Sequence, residues 1–530
     1  MKRATIISVL IIFILGTFGV SFTFAAKNDS NIKSNNNGIK TNDKNIEKQV
    51  QSGKPDTSWF DYKNPKKQYQ ITSEEQLLGL ASLVNEEQTS NWKPTRTETF
   101  EGVTFKLTKD IKLSADWTPI GTSESICFAG SFDGGGHTIS NVNIKSNADC
   151  IGFFGYLKGN VKNLNVSGMI ESTGGECGGI AGSLDSAASV TECSSDMDIT
   201  AGKMTGGIAG SSNGGKIENC INRGDVSGTY KVGGIVGENW GGSVKKCGNE
   251  GNVSSSVRGV ATFGTGGIAG RSVAADAVVS ECYNVGNINS AAEATGGVVG
   301  YMNADGSMLN NSYSTGNITI KKIRKEKALT KSWAGGVAGI VGSKGVIIAN
   351  CYNSGSIDNA DVSGGIIGKF IADERDNTEE NIQNNFYLND SVEVGIGDNK
   401  GLGGSDIQKC ASGVSGSTLS SMSSTLSVSF MKDTSGLYGN DGYPVLRWQD
   451  PIDSGDKSYL EGVSTDVQKK LDKYLINNTD ATNKGDIFIS IFQPDNYLTD
   501  ALLMYTNAVD KNTNDNDTQD DKTTIPDDGE

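Results

Sequence analysis

Apolar positions between residues 166 and 395 recur about every 30 residues, in step with a short glycine pattern. A Gly-Gly-apolar-small-Gly pattern, or a close variant of it, starts at Gly178, Gly206, Gly233, Gly266, Gly296, Gly335 and Gly364. The segments between these places are short, alternate apolar with polar residues and end at turn residues, as β-strands do. Because one such repeat cannot bury its own apolar face, successive repeats must stack. The pattern predicts an all-β protein, a right-handed parallel β-helix (β-solenoid) of about seven to nine coils.

Each of the first six glycine pairs is followed after 14 to 16 residues by a second fixed position, which is Cys193, Cys220, Cys247, Cys282, Ser312 or Cys351. Apolar residues stand three before and six after it, which predicts three strands per coil, the first of them carrying the glycine pattern. The paired glycines are expected to form a corner, where they let the wall bend tightly with no Cβ clash. Strict alternation would bury the residue just before it, which is Glu192, Asn219, Lys246, Glu281, Asn311 or Asn350. A buried lysine is implausible, so we expect a left-handed bend there. Glycines four residues after it mark the next corner: Gly224, Gly251, Gly286, Gly316 and Gly355.

The segments on either side of the repeats predict caps and less ordered regions. Thr72 and Ser73 are each followed three residues later by Glu or Gln, as in capping boxes, and an apolar helical face comes next. We therefore expect an N-terminal helix cap. Apolar residues at helical spacing after Trp448, such as Val463, Val467 and Leu471, predict a small α-helical C-terminal appendage. The predicted divisions are a signal peptide at 1–26, a disordered linker at 27–68, an N-terminal cap and first coils at 69–165, the repeats at 166–395, a C-terminal capping segment at 396–450, a small helical region at 451–509 and a disordered acidic tail at 510–530.

The first residues of the chain predict export. A basic start at Lys2 and Arg3 precedes a nearly uncharged stretch from Ala4 to Phe24, as in a secretory signal peptide. The alternative is an uncut membrane anchor, because the stretch is long enough to span a bilayer. We expect a secreted or cell-surface protein with no other membrane contact.

Charge limits the classes of partner. The 530 residues carry a formal net charge of −15, and losing Lys2 and Arg3 with the signal takes it to −17. An acidic balance argues against nucleic acid or anionic lipid as the main partner. The chain has 69 glycines and 8 prolines, a bias that would suggest disorder if the glycines were not periodic.

Several segments together resemble the GLUG-motif proteins. They are the repeats GGIAG, GGIVG and NCYNSGSI, the entry segments YQITSEEQLLGLASLVN, KLTKDIKLSADWTPIG and SFDGGGHTISNVNI, and the exit segment NDGYPVLRWQ, within about residues 69–448. The resemblance implies an extracellular β-helical protein and no single activity. Some streptococcal immunoglobulin A metalloproteases carry such repeats beside a separate zinc domain. A zinc protease of that type needs two histidines one helical turn apart, whereas this chain has only His137.

Few residues offer chemistry for catalysis or metal binding. His137 lies in a glycine-rich turn, where a structural role is favoured over that of a general base. Five of the nine cysteines share one coil position with parallel side chains, which favours a buried row of free thiols over disulfides. No CxxC or Cys/His cluster occurs, so no metal or cofactor is expected. The polar positions before the cysteines form no recurring acidic cluster for glycoside hydrolysis: Thr191 and Glu192, Glu218 and Asn219, Lys245 and Lys246, Ser280 and Glu281.

The largest insertion in the repeats, between Ser312 and Gly335, is basic and contains an aromatic residue. Its candidate binding residues are Lys321, Lys322, Arg324, Lys325, Lys327, Lys331 and Trp333. Cations of this kind pair with anionic glycans or wall polymers, although a solvated loop without a ligand is favoured. The predicted function is a non-enzymatic repeat scaffold for adhesion or for binding an extracellular glycan or a host or wall protein. The alternative is a polysaccharide lyase or hydrolase, which a groove of converging charged residues would favour.

Overall fold

The computed structural model describes residues 53–85, 99–257, 263–321, 331–371, 381–399, 404–433 and 442–449. The predicted signal peptide, helical region and acidic tail lie outside these residues. The described strands stack into four long parallel sheets, which we number 1 to 4, and so form a β-solenoid. The eleven strands of sheet 1 correspond to about ten turns, slightly more than the seven to nine predicted. No helix in the described ranges has the length and apolar character to cross a bilayer.

Sheets 1 and 2 consist of short strands, one from each coil. Sheet 1 contains Gln68–Ile71, Thr104–Leu107, Ser131–Asp133, Asn160–Lys162, Ser189–Thr191, Lys216–Glu218, Ser243–Lys245, Val278–Ser280, Met308–Asn310, Ile347–Ala349 and Ile382–Gln383. Sheet 2 contains Cys150–Ile151, Glu176–Gly178, Met204–Gly206, Lys231–Gly233, Gly264–Gly266, Ala294–Gly296, Trp333–Gly335 and Val362–Gly364. Because the strands stack in register, equivalent residues of successive coils form rows. Neighbouring residues within a row lie about 4.8 Å apart.

Sheets 3 and 4 complete each coil. Sheet 3 contains Phe154–Leu157, Ala181–Leu184, Ala209–Asn213, Val236–Trp240, Ala269–Val273, Val299–Met302, Ala338–Val341, Ile367–Phe370 and Ile396–Asn399. Sheet 4 contains Ile111–Lys112, Thr138–Lys145, Asn165–Glu171, Ser194–Thr200, Ile221–Asn222, Val226–Gly228, Gly248–Asn249, Val253–Ser255, Tyr283–Asn284, Ile288–Ser290, Tyr313–Ser314, Ile318–Ile320, Tyr352–Asn353, Ile357–Asp358, Asn385–Leu388 and Ala411–Val414. Five coils contribute two short strands to sheet 4, so each of these coils contains five strands rather than the three predicted.

The remaining elements lie outside the four sheets. They are the α-helices Glu74–Val84, Gly404–Cys410, Gly416–Leu419 and Ser423–Leu426, the 3-10 helix Arg447–Gln449 and an antiparallel pair of strands, Phe430–Met431 and Val445–Leu446. In the first helix, Ser73 accepts a hydrogen bond from the backbone N–H of Gln76, which confirms that capping box. The predicted apolar face of this helix is buried.

Packed structure begins before Tyr69, within the segment predicted to be a linker. The backbone N–H of Asp56 donates to the carbonyl of Glu75 over 2.8 Å, and Thr57 is buried. The Trp59 ring packs edge-on against the ring of Tyr69, with 5.1 Å between centroids. Residues 53–60 therefore cover the outer side of the first helix.

The predicted left-handed bend lies just before the cysteine position in all six coils. The backbone angle φ there lies between 47° and 57°, in Glu192, Asn219, Lys246, Glu281, Asn311 and Asn350. Asn163 and Asn384, in the flanking coils, have the same conformation. In a regular strand, two residues three positions apart point to opposite faces. The bend resets this alternation, so that the cysteine position and the apolar position three before it both face the core.

The glycine pair lies at the corner between sheets 2 and 3, and the prediction that one strand carries it is wrong. Its second glycine faces a polar residue across the coil, two after the cysteine position. A Cβ atom on Gly234 would overlap Cγ of Asn249 and the carbonyl oxygen of Gly267 in the next coil. Gly207, Gly267 and Gly336 face Asn222, Asn284 and Asn353 in the same way. The glycine pair therefore makes room for an asparagine inside each of these coils.

These asparagines form a buried row along the solenoid, which we call the asparagine row. Nδ2 of Asn222 donates to Oδ1 of Asn249 over 2.9 Å, and Nδ2 of Asn249 donates to Oδ1 of Asn284 over 2.8 Å. Asn284 continues the row to the hydroxyl of Ser314 over 3.2 Å. Nδ2 of Asn249 also donates to the carbonyl of Gly251 in the following turn over 2.7 Å. A buried amide must be hydrogen-bonded to be tolerated, and here each bond joins two coils or fixes a turn.

The predicted corner glycines after the cysteine position are required because the backbones of stacked coils approach closely there. They do not adopt the left-handed conformation that glycine makes accessible. Instead, a Cβ on Gly251 would overlap the carbonyl oxygen of Gly224, and a Cβ on Gly286 would overlap that of Gly251. Stacked backbones approach so closely at this corner that no side chain fits.

The C-terminal segment, residues 415–433 with 442–449, runs back along the outside of sheet 4. It covers a row of tyrosines, Tyr283, Tyr313 and Tyr352, whose rings stack with centroid distances of 5.8 and 4.9 Å. Gln449 accepts a hydrogen bond from the Tyr313 hydroxyl over 3.0 Å. The indole N–H of Trp448 donates to the carbonyl of Glu281 over 2.9 Å. The segment therefore spans three coils of the sheet.

Candidate functional site

His137 lies in a turn on the surface. Its Nδ1 is 3.3 Å from Oδ1 of Asp110, and that oxygen also accepts from the backbone N–H of Thr138 over 2.9 Å. Both side chains are substantially exposed. An exposed ion pair of this kind contributes little energy, and the shared carboxylate fixes the turn. This geometry suits the structural role that we favoured for His137.

The cysteines at the shared coil position form a row in the core. All five are fully buried, and each thiol donates to the carbonyl two residues before it, over 3.2 to 3.3 Å: Cys193, Cys220, Cys247, Cys282 and Cys351. Ser312, which replaces the cysteine in one coil, makes the same bond to the carbonyl of Asn310 over 2.8 Å. The position thus requires a small side chain that can donate one hydrogen bond.

Burial shields all five thiols from reagents and makes three of them poor nucleophiles. It raises the pKa of Cys351 to about 12 and raises the pKa of Cys193 and Cys247, because the thiolate is disfavoured in the core. Since alkylation requires the thiolate, we expect iodoacetamide at pH 8 to leave the row unmodified in the folded protein and to label all nine cysteines in denaturant. Mass spectrometry would count the labels.

A positive control for this labelling is the variant Val428→Cys, which places a thiol at a fully solvent-accessible position. It should react at once in the folded protein. Fewer than nine labels in denaturant, without a reductant, would show that some cysteines are paired and would contradict the free row.

The described residues of the basic insertion do not come together. Nζ of Lys321 donates to the carbonyl of Ser255 over 2.7 Å, and its partial burial lowers the pKa of this ammonium group. Lys331 is exposed, whereas Trp333 begins a strand of sheet 2. The other candidate residues lie outside the described part of the chain: Lys322, Arg324, Lys325 and Lys327.

Trp333 belongs instead to a concave corner between sheets 2 and 3. At a convex corner, the outward side chains of two neighbouring sheets point away from each other. Here the outward side chains of sheets 2 and 3 contact each other, so the corner is concave. Nζ of Lys231, from sheet 2, is 2.6 Å from Oε2 of Glu238, from sheet 3. The indole N–H of Trp333 donates to Oδ2 of Asp398 over 3.2 Å. We call this corner the corner groove, and it is lined by Lys231, Glu238, Trp240, Arg271, Tyr301, Trp333, Lys369 and Asp398.

The sheet 3 side of the groove is one register row. The residues paired in register along it are Ser211, Glu238, Arg271, Tyr301, Ile340, Lys369 and Asp398. At ordinary strand spacing, the part of the row from Glu238 to Asp398 extends over about 24 Å. The row is therefore as long as several units of a polymer, although Tyr301 and Ile340 in its middle are buried.

Charged side chains converge at one end of the groove. Glu238, whose side chain is 11% exposed, binds Lys231 through Oε2 and the Nη1 of Arg271 through Oε1, over 2.6 and 2.7 Å. The guanidinium of Arg271 lies 5.9 Å from the Trp240 ring centroid and 5.7 Å from that of Tyr301. Burial raises the pKa of Tyr301, which the nearby Arg271 partly opposes. Trp240 is 53% exposed, so much of its ring is available to a ligand.

A second charged pair occupies the other end. Nζ of Lys369 lies 4.1 Å from the Trp333 ring centroid, a cation–π distance. The same ammonium group is 4.0 Å from Asp398. This end is electrically balanced, and its tryptophan is already packed against a cation.

Sheet 4 carries a second, shallower groove of about 630 Å³. Its lining is mainly polar and uncharged, from residues such as Asn252, Asn287 and Asn317. The side-chain oxygen of each of these asparagines accepts a backbone N–H of the next coil over 3.0 to 3.3 Å. These oxygens hold the turns together, so we assign this face a structural role.

Two acidic groups on or just after strands of sheet 1 pair with lysines. Asp133 lies 3.4 Å from Lys162, and Glu281 lies 3.6 Å from Lys245. Among the described residues, no group of three or more His, Cys, Asp or Glu side chains is placed to hold a metal ion.

Most residues of the corner groove escaped the sequence analysis, although a signal for them existed. Glu238, Arg271, Tyr301 and Lys369 each stand five residues after the first glycine of a pair, where earlier coils have serine. A comparison of the coils at that one position would have shown charged and aromatic residues in a row.

Comparisons with known proteins do not show which family the chain belongs to. No family model matches the chain, and no curated protein matches it. One solved structure that it resembles is described as a putative immunoglobulin A1 protease from Bacteroides ovatus, with 22% sequence identity and a TM-score of 0.39. The similarity covers 52% of this chain and 84% of that one. At these values it says nothing about activity.

Proposed function

We propose that this chain is a secreted or cell-surface scaffold of the GLUG-motif type, which binds an extracellular glycan in the corner groove without cleaving it. The exposed ring of Trp240 beside the Arg271 guanidinium carries this proposal. A large exposed aromatic side chain in a concave, partly polar site is typical of ligand-binding surfaces. Ring faces pack against sugars, and the neighbouring charged groups would hydrogen-bond sugar hydroxyls.

The length of the groove supports a polymeric ligand. Its lining residues are held by strands on both sides and are cross-linked by ion pairs, so little side-chain entropy would be lost on binding. The basic insertion around Lys321 would add contacts from a neighbouring segment, and this part of the proposal rests on its charge alone.

Truncation of the exposed tryptophan tests the proposal. Binding of the mature protein to an array of host and bacterial glycans should weaken at least 10-fold in Trp240→Ala, because truncating a central aromatic contact costs about 2 kcal/mol or more. Tyr62→Ala is the matched control, since Tyr62 is 61% exposed and lies in the N-terminal segment. Equal binding by Trp240→Ala and the wild type would exclude the groove as the site.

A polysaccharide lyase or hydrolase is the second candidate, and the convergence of Lys231, Glu238 and Arg271 favours it. A hydrolase of the usual kind needs two carboxyl groups about 5 to 10 Å apart, whereas this cluster contains one carboxylate with a cation on each oxygen. Release of oligosaccharides from a bound glycan, followed by a reducing-end assay, would support the enzyme. Retained binding without product would support the scaffold.

A further inference from the structure

We infer that the corner groove selects acidic saccharides, which carry carboxylate or sulfate groups, over neutral ones. This inference rests on the proposed function and names the ligand class of the same site. It is carried by the charge balance at the end of the groove where Lys231, Glu238 and Arg271 meet.

This cluster holds more positive than negative charge. Two cations share the single carboxylate of Glu238, which leaves one positive charge in excess. In sheet 2, Lys231 pairs in register with Met204, which pairs with Glu176. Glu176 is the one other carboxylate of the two register rows at this end, and it lies two strands from Lys231, about 10 Å away. Asp276, in a turn, lies beside Gly241 at the far side of Trp240. The chain as a whole is strongly acidic, so a locally cationic end is a specific feature of this groove.

The guanidinium of Arg271 is suited to accept a further anion. It offers five N–H donors, and Glu238 engages Nη1. Its Nε is buried, so a ligand would meet the remaining N–H groups of Nη1 and Nη2. The rings of Trp240 and Tyr301, with centroids 5.9 and 5.7 Å from the guanidinium carbon, restrict its movement. A fixed, planar cation binds carboxylate or sulfate with defined geometry at little entropic cost.

Trp240 places a sugar ring next to this cation. Its ring is exposed and lies 5.9 Å from the guanidinium carbon of Arg271. A sugar packed on the indole would thus carry its acidic substituent toward Arg271 and Lys231. The balanced pair of Lys369 and Asp398 at the other end offers no such excess charge.

Matched pairs of polysaccharides test the inference, since each pair shares a backbone and differs in charge. Suitable pairs are galacturonan with its methyl ester and a sulfated galactan with its desulfated form, because the second member of each pair is uncharged. We expect the wild type to bind the acidic member of at least one pair at least 10-fold more tightly, and this preference to shrink at high salt because screening weakens it.

Two substitutions should shift the preference in opposite directions. Arg271→Gln should abolish it, so that this variant binds the acidic member no more tightly than the neutral one. Glu238→Gln should strengthen binding of the acidic member severalfold, because it removes the competing carboxylate, and a gain in affinity cannot arise from misfolding. Equal binding of both members by the wild type, or weaker acidic binding by Glu238→Gln, would overturn the inference alone. Binding to no member of any pair would overturn the proposed function with it.

Discussion

Gly234→Ala should destabilise the solenoid by at least about 3 kcal/mol, near the upper end of the cost of overpacking a core. The new Cβ would overlap Asn249 of the same coil and the backbone carbonyl of Gly267 in the next coil. Neither neighbour can move alone, because Asn249 is bonded within the asparagine row and Gly267 lies in a packed corner. Urea or guanidinium unfolding, followed by circular dichroism, would measure the loss as a lower midpoint.

The control for this substitution is Gly175→Ala in the same repeat region. A Cβ there would lie 3.3 Å from the carbonyl oxygen of Asp149, a distance that a small shift relieves. It should change the midpoint little, and the lower flexibility of alanine in the unfolded chain partly offsets any strain. If both variants unfold at the wild-type midpoint, the glycine pair is not required by packing.

Asn249→Ala should cost about 3 to 4 kcal/mol, although it removes no apolar contact of note. The substitution leaves a cavity and strands three groups that Asn249 satisfies: the amide of Asn222, the amide oxygen of Asn284 and the carbonyl of Gly251. Each buried polar group without a partner costs about 1 to 3 kcal/mol. The same unfolding experiment measures this loss.

Two comparisons separate this effect from general damage. Asn249→Ser should cost less than Asn249→Ala, because Ser314 fills the equivalent position of another coil and bonds within the row. Asn289→Ala, at an exposed position of the same sheet, should stay within about 1 kcal/mol of the wild type. If Asn249→Ala and Asn289→Ala behave alike, the buried row does not stabilise the protein.

The features predicted correctly were those that one coil encodes by itself. The residue before the cysteine position had to bend, because Lys246 could not be buried, and its φ of 51° confirms this. The parallel stacking followed from the repeat length. The sequence also predicted that the glycine pair forms a corner where no Cβ fits. It did not show that Asn249 lies against Gly234, because strand alternation does not reveal a contact across the coil.

The candidate site was harder to predict because it depends on an angle between two sheets. Lys231 and Glu238 are seven residues apart, and nothing in their spacing shows that the corner between them is concave. Trp333 was selected for its place beside a basic insertion. Its ring instead packs against Lys369, and its indole N–H donates to Asp398, both of which lie on later coils. The charged residues at the cationic end of the groove, Lys231, Glu238 and Arg271, come from repeats without a basic insertion.

The C-terminal segment also has a mechanical consequence. Because residues 442–449 lie against the row of tyrosines, a pulling force applied at Gln449 would act on the flank of the solenoid. It would first load the contacts of Trp448 with Glu281 and of Gln449 with Tyr313 in shear. Tension would then enter the middle coils together, and would not peel the last coil away from the stack.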